Sequence, residues 1–177
     1  MNDTVVSKIE EAFDSHKIKY RTIEAGEMTF VEAGFNIDGG PDIRAVFIPC
    51  DKNGNGVNIR IAGIMHHAPK EKRPLLLEAC NRINSEMRFF KYFLDKDNDI
   101  VGQCDLPSSS SADTVGEYCS ELFIRAMQIM NQCYHYFPEA VYGGAANDKL
   151  ESLKSALTSL QDLRDHPITI PEDQQKD

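Results

Sequence analysis

The order of hydrophobic periods between Pro69 and Pro138 constrains the fold more than any other feature of the sequence. It begins with a helical pattern at about residues 70–85, where Pro74 fits only in the first turn because proline lacks the N–H that a helix interior needs. Two strand-like runs fill residues 88–107, and a long helical pattern at about residues 112–137 ends at Pro138. This order indicates a sheet with helices packed against it.

The residues before Pro69 add one more helix and most of the strands. Residues 5–13 place apolar side chains at helical spacing, whereas the runs between Lys19 and Met65 alternate apolar with polar or small residues. The turns at residues 38–41 and 51–56 are short and rich in glycine, which favours antiparallel neighbours. The sequence therefore predicts an α+β fold: an antiparallel sheet of about five strands packed against N-terminal, middle and long C-terminal helices.

Helical spacing also predicts which side chains are buried. For the middle helix they are Leu75, Leu76, Ala79, Cys80 and Ile83. For the long helix they are Val115, Cys119, Leu122, Phe123, Ala126, Met127, Met130, Cys133, Tyr134 and Phe137. The methionines and aromatics at its C-terminal end, Met127 to Phe137, also suit an adaptable binding surface, but the core interpretation is preferred.

The domain organisation is predicted to have three parts. Residues 1–143 form the α+β domain, residues 144–165 add an amphipathic helix, and residues 166–177 are an acidic, proline-bounded tail expected to be disordered. The leucine stripe of the added helix, at residues 148–164, is too narrow for stability in water without a partner. We therefore expect that helix to pack on the domain, on a second copy or on another protein.

Composition limits the classes of partner. The chain has 28 acidic and 19 basic residues and a formal net charge of −9, so its field repels nucleic acid and anionic lipid. No segment approaches the ~20 apolar residues of a membrane span, and the N-terminus is acidic where a signal peptide is basic. Its five cysteines form no CxxC pair, as is usual for reduced thiols. We predict a cytoplasmic protein without nucleic-acid or membrane partners.

Two acidic turns resemble the calcium loop of an EF-hand but lack its closing residues. The loop beginning at Asp51 has Ala62 where a bidentate glutamate is required, and the loop beginning at Asp95 has Ile100 in place of glycine and Leu106 in place of that glutamate. Both are interpreted as turns between strands. The carboxylates are expected to be solvated.

Other candidate sites are also weak. His66 and His67 have no third ligand nearby, and adjacent strand residues point to opposite faces, so we predict no metal site. A thiolate pair of Cys133 with His135, or of Cys50 with His66, is conceivable; Cys133 lies on a buried helix face, and only Cys50 is expected to be exposed.

Serines 108–111 have no base beside them and are interpreted as a linker and helix cap, with Ser110 and Asp113 at capping-box spacing. No phosphate-binding glycine motif occurs. We therefore predict no enzyme, no cofactor, and no catalytic or metal residues; the partner-binding residues are left open.

One stretch carries a family resemblance. The run LLLEACNRINSEMRFFKYFLDKDNDIVGQCDLP, with Asn81 and Asn84 near the end of its helix, is followed by a long helix ending in YHYFPEAVYG. This pattern resembles the YbjN family, also labelled putative bacterial sensory transduction regulators, over roughly Val5 to Gly143. The resemblance implies a fold like that of type III secretion chaperones, often a homodimer, with no known active site. Asn81 and Asn84 are interpreted as turning the chain into the next strand.

Two functional hypotheses follow. The first is a non-enzymatic chaperone-like or adaptor protein that binds another polypeptide or itself, since type III secretion chaperones bind extended segments of other proteins. The alternative is a small-molecule or metal-responsive regulatory domain with a pocket between sheet and helices.

Overall fold

The computed structural model of the chain describes residues 5–37, 39–50, 56–107 and 114–143. Its elements in chain order are α1 (Val5–Ser15), β1 (Tyr20–Ala25), β2 (Met28–Asn36), β3 (Asp42–Pro49), β4 (Gly56–Met65), a 3-10 turn (Lys70–Lys72), α2 (Arg73–Glu86), β5 (Lys91–Leu94), β6 (Ile100–Pro107) and α3 (Val115–Cys133). A further helical segment occupies residues 136–143. Pro74 lies in the first turn of α2, as predicted.

The six strands form one sheet in the order β1-β2-β3-β4-β6-β5, and all neighbours are antiparallel. The predicted α+β architecture is confirmed, with six strands where about five were expected. The chain leaves β4 through α2 and returns at the far edge, so β5 lies outside β6. Strands β1 and β5 are therefore the two edges of the sheet.

The core lies between one face of the sheet and the helices. Paired residues on that face run across neighbouring strands, for example Ala33 with Ala45, and Ala45 with Ile61. Helix α1 lies so close to α3 that a Cβ on Gly116 would stand 2.1 Å from the Lys8 carbonyl oxygen. Only glycine allows this approach, and it brings both helices onto the same side of the sheet.

Two details of the predicted helices are wrong. Helix α3 ends at Cys133 and does not reach the predicted end at Pro138. Pro138 instead lies in the first turn of the segment 136–143, where a helix tolerates a residue without an N–H. Leu75 is 51% exposed, since Leu76, Ala79 and Ile83 already form the face that meets the sheet and Leu75 is rotated away from it. In α3 the predicted stripe is buried or half-buried, and the core interpretation of Met130 is confirmed.

Several predictions fall outside the described residues: the loop at 51–55, the serines 108–111 with the Ser110–Asp113 cap, the helix at 148–164 and the tail at 166–177. The chain divides into two compact units, Met1–Val141 and Tyr142–Asp177, and nearly all of the second is outside the described part. Within the residues that the structure describes, no helix is long and apolar enough to cross a membrane.

Candidate protein-interaction surface

The side of the sheet opposite the helices is called the open face, because none of the described residues form an element that covers it. Side chains alternate along each strand, so the residues before and after each core residue point to this side. One row of cross-strand neighbours spans all six strands, and its members are Arg21, Glu32, Val46, Arg60, Gln103 and Lys91.

Ion pairs organise the charged part of the open face. The Glu32 carboxylate is only 12% exposed and lies between two guanidinium groups, with Arg21 Nη2 at 2.6 Å and Arg44 Nη1 at 3.9 Å. Farther along, Arg60 Nη2 donates to Asp95 Oδ2 at 3.0 Å. The face therefore holds both charge signs in fixed positions, although the chain as a whole is acidic.

An apolar strip lies beside these ion pairs, formed by Ile23, Phe30, Val46 and Ile48. All four residues are half-buried, so each keeps part of its surface exposed. A partner that covers the strip removes apolar area from water while the ion pairs fix its orientation. The open face thus combines an apolar strip with neighbouring ion pairs, two features that protein interfaces share.

The edge at β5 is closed by a side chain of α2. Asn84 Oδ1 accepts from the Tyr92 N–H at 2.7 Å, and its Nδ2 donates to the Tyr92 carbonyl at 2.9 Å. Lys91 Nζ also donates to the Asn84 carbonyl at 3.1 Å. At Tyr92 the carboxamide takes the place of a neighbouring strand, so the interpretation of Asn84 as a residue that merely turns the chain is incomplete.

Tyr92 anchors the same edge from the core side. Its side chain is 1% exposed and lies against Gly102 of β6, where a Cβ would stand 2.7 Å from Tyr92 Cε1. Its hydroxyl is buried and has no hydrogen-bond partner among the described residues. Burial raises the pKa of Tyr92 well above its ordinary value, and the nearby Cys133 acts in the same direction.

The edge at β1 is different. All six of its residues pair with β2 in one continuous register, and no described residue pairs with its outer side. Ala25 and Met28 close a two-residue turn in which Gly26 has a φ of +63°. The two residues that close such a turn form both backbone hydrogen bonds with each other, and hydrogen-bonded pairs then alternate with non-hydrogen-bonded pairs along the strands. Tyr20, Thr22 and Glu24 belong to the non-hydrogen-bonded pairs, so their N–H and C=O groups point away from β2.

The two candidate histidines meet one carboxylate. His66 Nδ1 lies 2.8 Å from Asp99 Oδ2, and the His67 N–H donates to Asp99 Oδ1 at 2.7 Å. The expectation that the two residues point to opposite faces is wrong, because both lie beyond the end of β4 and His67 has a φ of +49°. These bonds, led by the one from the His67 N–H, lower the pKa of Asp99.

The turn beginning at Asp95 is also held by its carboxylates. Asp95 Oδ1 accepts from the N–H groups of Asp97 and Asp99 at 2.9 and 3.0 Å. These carboxylates therefore shape the β5–β6 turn and are not merely solvated. The described residues contain no group of three His, Cys, Asp or Glu side chains that could hold a metal ion.

The cysteines form no thiolate site within the described residues. Cys50 is exposed, as predicted, but it adjoins the start of β4 while His66 follows its other end. Burial raises the pKa of Cys133, as does the nearby Glu86, while Arg82 acts in the opposite direction. A raised pKa keeps this thiol protonated.

The helical side exposes isolated aromatic residues. Phe89 is 56% exposed and has a φ of +73°. The N–H of the next residue, Phe90, donates to the carbonyl of the preceding residue, Arg88, so Phe89 is the central residue of a strained γ-turn. The Arg125 guanidinium lies 5.3 Å from the Phe89 ring centre.

A shallow recess lies near the end of α1, where His16 Nε2 is 2.7 Å from Glu117 Oε2.

Comparison with known proteins gives the family. The sequence profile of the YbjN family, described as "Putative bacterial sensory transduction regulator", matches residues 6–139. The chain belongs to the YbjN family. The resemblance drawn from the sequence is therefore confirmed, and the description of the YbjN family is that of a regulator and not of a class of enzymes.

One solved structure is similar to this chain. It is a crystal structure of YbjN from E. coli, described as a putative transcription regulator, which has 12% sequence identity and a TM-score of 0.49. The match covers 77% of this chain and 92% of that one. No curated protein matches the sequence. The expected homodimer, chaperone-like binding and cytoplasmic compartment stay predictions.

Proposed function

We propose that this YbjN-family protein is a non-enzymatic regulator or adaptor that acts by binding another polypeptide on the open face of its sheet. The observation that carries the proposal is the apolar strip of Ile23, Phe30, Val46 and Ile48 beside the fixed ion pairs of Glu32. The described helices pack on the other side of the sheet, so they leave this face available.

The chemistry of the described residues supports a binding role. The histidines after β4 and the acidic residues of the β5–β6 turn, which the sequence offers as candidate metal ligands, bind one another instead. The buried thiol of Cys133 has a raised pKa, which disfavours the reactive thiolate. The open face is an accessible sheet surface with apolar and charged parts, which suits recognition of a polypeptide.

Selection from a random peptide library displayed on phage, followed by affinity measurement, tests the proposal. Ile48→Asp places a charge in the apolar strip, whereas Leu77→Asp makes the same change at an exposed leucine of α2. We expect the selected peptides to lose at least about tenfold in affinity for Ile48→Asp, equivalent to about 1.4 kcal/mol, and to bind Leu77→Asp normally.

Two results would contradict the proposal. One is a set of peptides that binds both variants as well as the unmodified protein, which would place recognition elsewhere. The other is a library that yields no binder, together with a metabolite or divalent ion that raises the melting temperature, because a ligand of the native state stabilises it. That second result would favour the small-molecule or metal-responsive alternative.

A further inference from the structure

We propose that the outer edge of β1 receives an extended segment of another protein as an added strand, and that this segment carries lysine or arginine at alternate positions facing α1. The proposal rests on the proposed function, polypeptide binding, and adds to the open face a second place of contact, the β1 edge, together with a partner chemistry.

The first argument is the state of the edge. Strand edges attract other strands, and natural proteins usually protect them with proline, lysine, bulges or a covering element. Residues 20–25 contain no proline, glycine or lysine, and their pairing with β2 has no register shift. Among the described residues no strand pairs with the outward groups of Tyr20, Thr22 and Glu24. The other edge, by contrast, is closed by Asn84.

The second argument is the charge beside the edge. Thr22 and Glu24 pair with Val31 and Thr29, so their side chains lie on the side of the sheet that α1 covers. There the Thr22 hydroxyl donates to Glu10 of α1. Glu24 adds a second exposed carboxylate along the strand.

Asp14 extends this acidic border at the start of β1. The pKa of Tyr20 is raised by burial and then by the negative charges of Asp14 and Glu10, as expected where carboxylates gather. Arg21 points to the open face and is paired with Glu32, and strand β1 itself carries no other basic residue.

These charges select the occupant. In an added strand, alternate side chains point toward α1, and basic ones there meet Glu10, Asp14 and Glu24. A second copy joined edge to edge in antiparallel fashion would instead bring its own three carboxylates to the same side, where like charges repel. The acidic border therefore favours a basic segment over self-association.

The test uses a fluorescent peptide of alternating lysine and valine, about eight residues long to match the edge strand. Anisotropy titrations compare it with a copy that is N-methylated at alternate residues, which keeps every charge but removes the N–H donors along one edge. A second copy with glutamate in place of lysine tests the sign of the charge. We expect binding of the first peptide alone.

Three substitutions separate backbone pairing from charge. Glu24→Pro removes an outward N–H, which an edge strand tolerates, and we expect it to weaken binding at least about tenfold. Glu24→Gln and Asp14→Asn leave the backbone intact, and we expect each to lower the affinity for the peptide about threefold. Added salt should make this difference in affinity smaller, because it screens the charges. Hydrogen exchange provides a second measurement, in which bound peptide should protect the amides of Thr22 and Glu24.

Equal binding of the N-methylated peptide, or of Glu24→Pro, would overturn the inference by showing general attraction of charge. A dimer in light scattering that Glu24→Pro converts to monomers would overturn it too, because a second copy would then occupy the edge. Either result leaves the open face untouched, since its own test depends on Ile48. If the library peptides lose affinity for Ile48→Asp but bind Glu24→Pro normally, only this inference is contradicted.

Discussion

The two edges of the sheet are built differently. At β5 the side chain of Asn84 replaces a neighbouring strand, and Tyr92 is buried against Gly102. At β1 the outward backbone groups meet no described partner, and Tyr20 is only half-buried against Phe13, with ring centres 5.7 Å apart. Both edges thus carry a tyrosine on the core side, but only one is closed.

The difference shows which edge of the sheet can bind a partner strand and which edge stabilises the fold. An edge that is closed by buried groups contributes to folding and offers nothing to a partner strand. An edge whose side chains are half-exposed contributes less to folding and keeps its backbone groups accessible. The same molecule can therefore be stable at β5 and receptive at β1, and substitutions should separate the two properties.

The largest expected effect is the truncation of the buried tyrosine. Tyr92→Ala removes a fully buried ring and should lower the free energy of unfolding by about 3–5 kcal/mol. Tyr20→Ala is the matched change at the other edge and should cost less than half as much, because that ring is partly solvated. Urea denaturation measures both. Equal losses would mean that the two edges contribute alike to folding.

Replacing the closing carboxamide comes next. Asn84→Leu keeps the size of the side chain but leaves the Tyr92 N–H and carbonyl without their partner, which should cost about 1–3 kcal/mol. The uncovered edge should also promote association at high protein concentration, visible in light scattering. Asn81→Leu, at an exposed position of the same helix, should change stability by less than about 0.5 kcal/mol. Similar behaviour of the two variants would refute the closing role.

A smaller effect, opposite in sign at the two edges, is expected from removing the tyrosine hydroxyls. Tyr92→Phe deletes a buried hydroxyl without a described partner and should leave stability unchanged or raise it by up to about 1 kcal/mol. Tyr20→Phe deletes a hydroxyl that interacts with Asp14 and should lower stability by about 0.5–1 kcal/mol. Urea midpoints at neutral pH are sufficient. A clear loss for Tyr92→Phe would show that its hydroxyl is satisfied.

The sequence predicts much of the fold because the fold follows local periodicity. Alternation in VNIRI and helical spacing around Cys119 and Phe123 depend only on which face is buried, and those elements are confirmed. The exposure of Leu75 is not predictable in this way, since two adjacent leucines fit the same helical face until the sheet selects one.

The candidate surface is harder to predict because it depends on contacts between distant residues. Asn84 meets the backbone of Tyr92 only when α2 lies against β5, and His66 and Asp99 are separated by 33 positions. The open state of β1 depends on the strand order, which turn lengths alone leave undecided. The sequence shows only that apolar residues alternate with polar or small ones through KYRTIEAG, and this pattern does not say which side of β1 faces the core.

The smallest expected effect concerns the turn that leads out of the closed edge. The pKa of Asp99 is lowered chiefly by the His67 N–H and then by His66, so the folded carboxyl titrates below the unfolded one. Its contribution to stability is therefore complete above the ordinary pKa of 3.8 and is lost as the pH falls through the lowered value. Asp99→Asn should lower the urea midpoint slightly at about pH 6, and the gap to the unmodified protein should narrow toward about pH 2. Asp97→Asn controls for the loss of one charge from the same turn. A gap of constant size at every pH would show that the Asp99 carboxylate contributes no charge-dependent stability, and the loops around β5–β6 would then be held by neutral contacts alone.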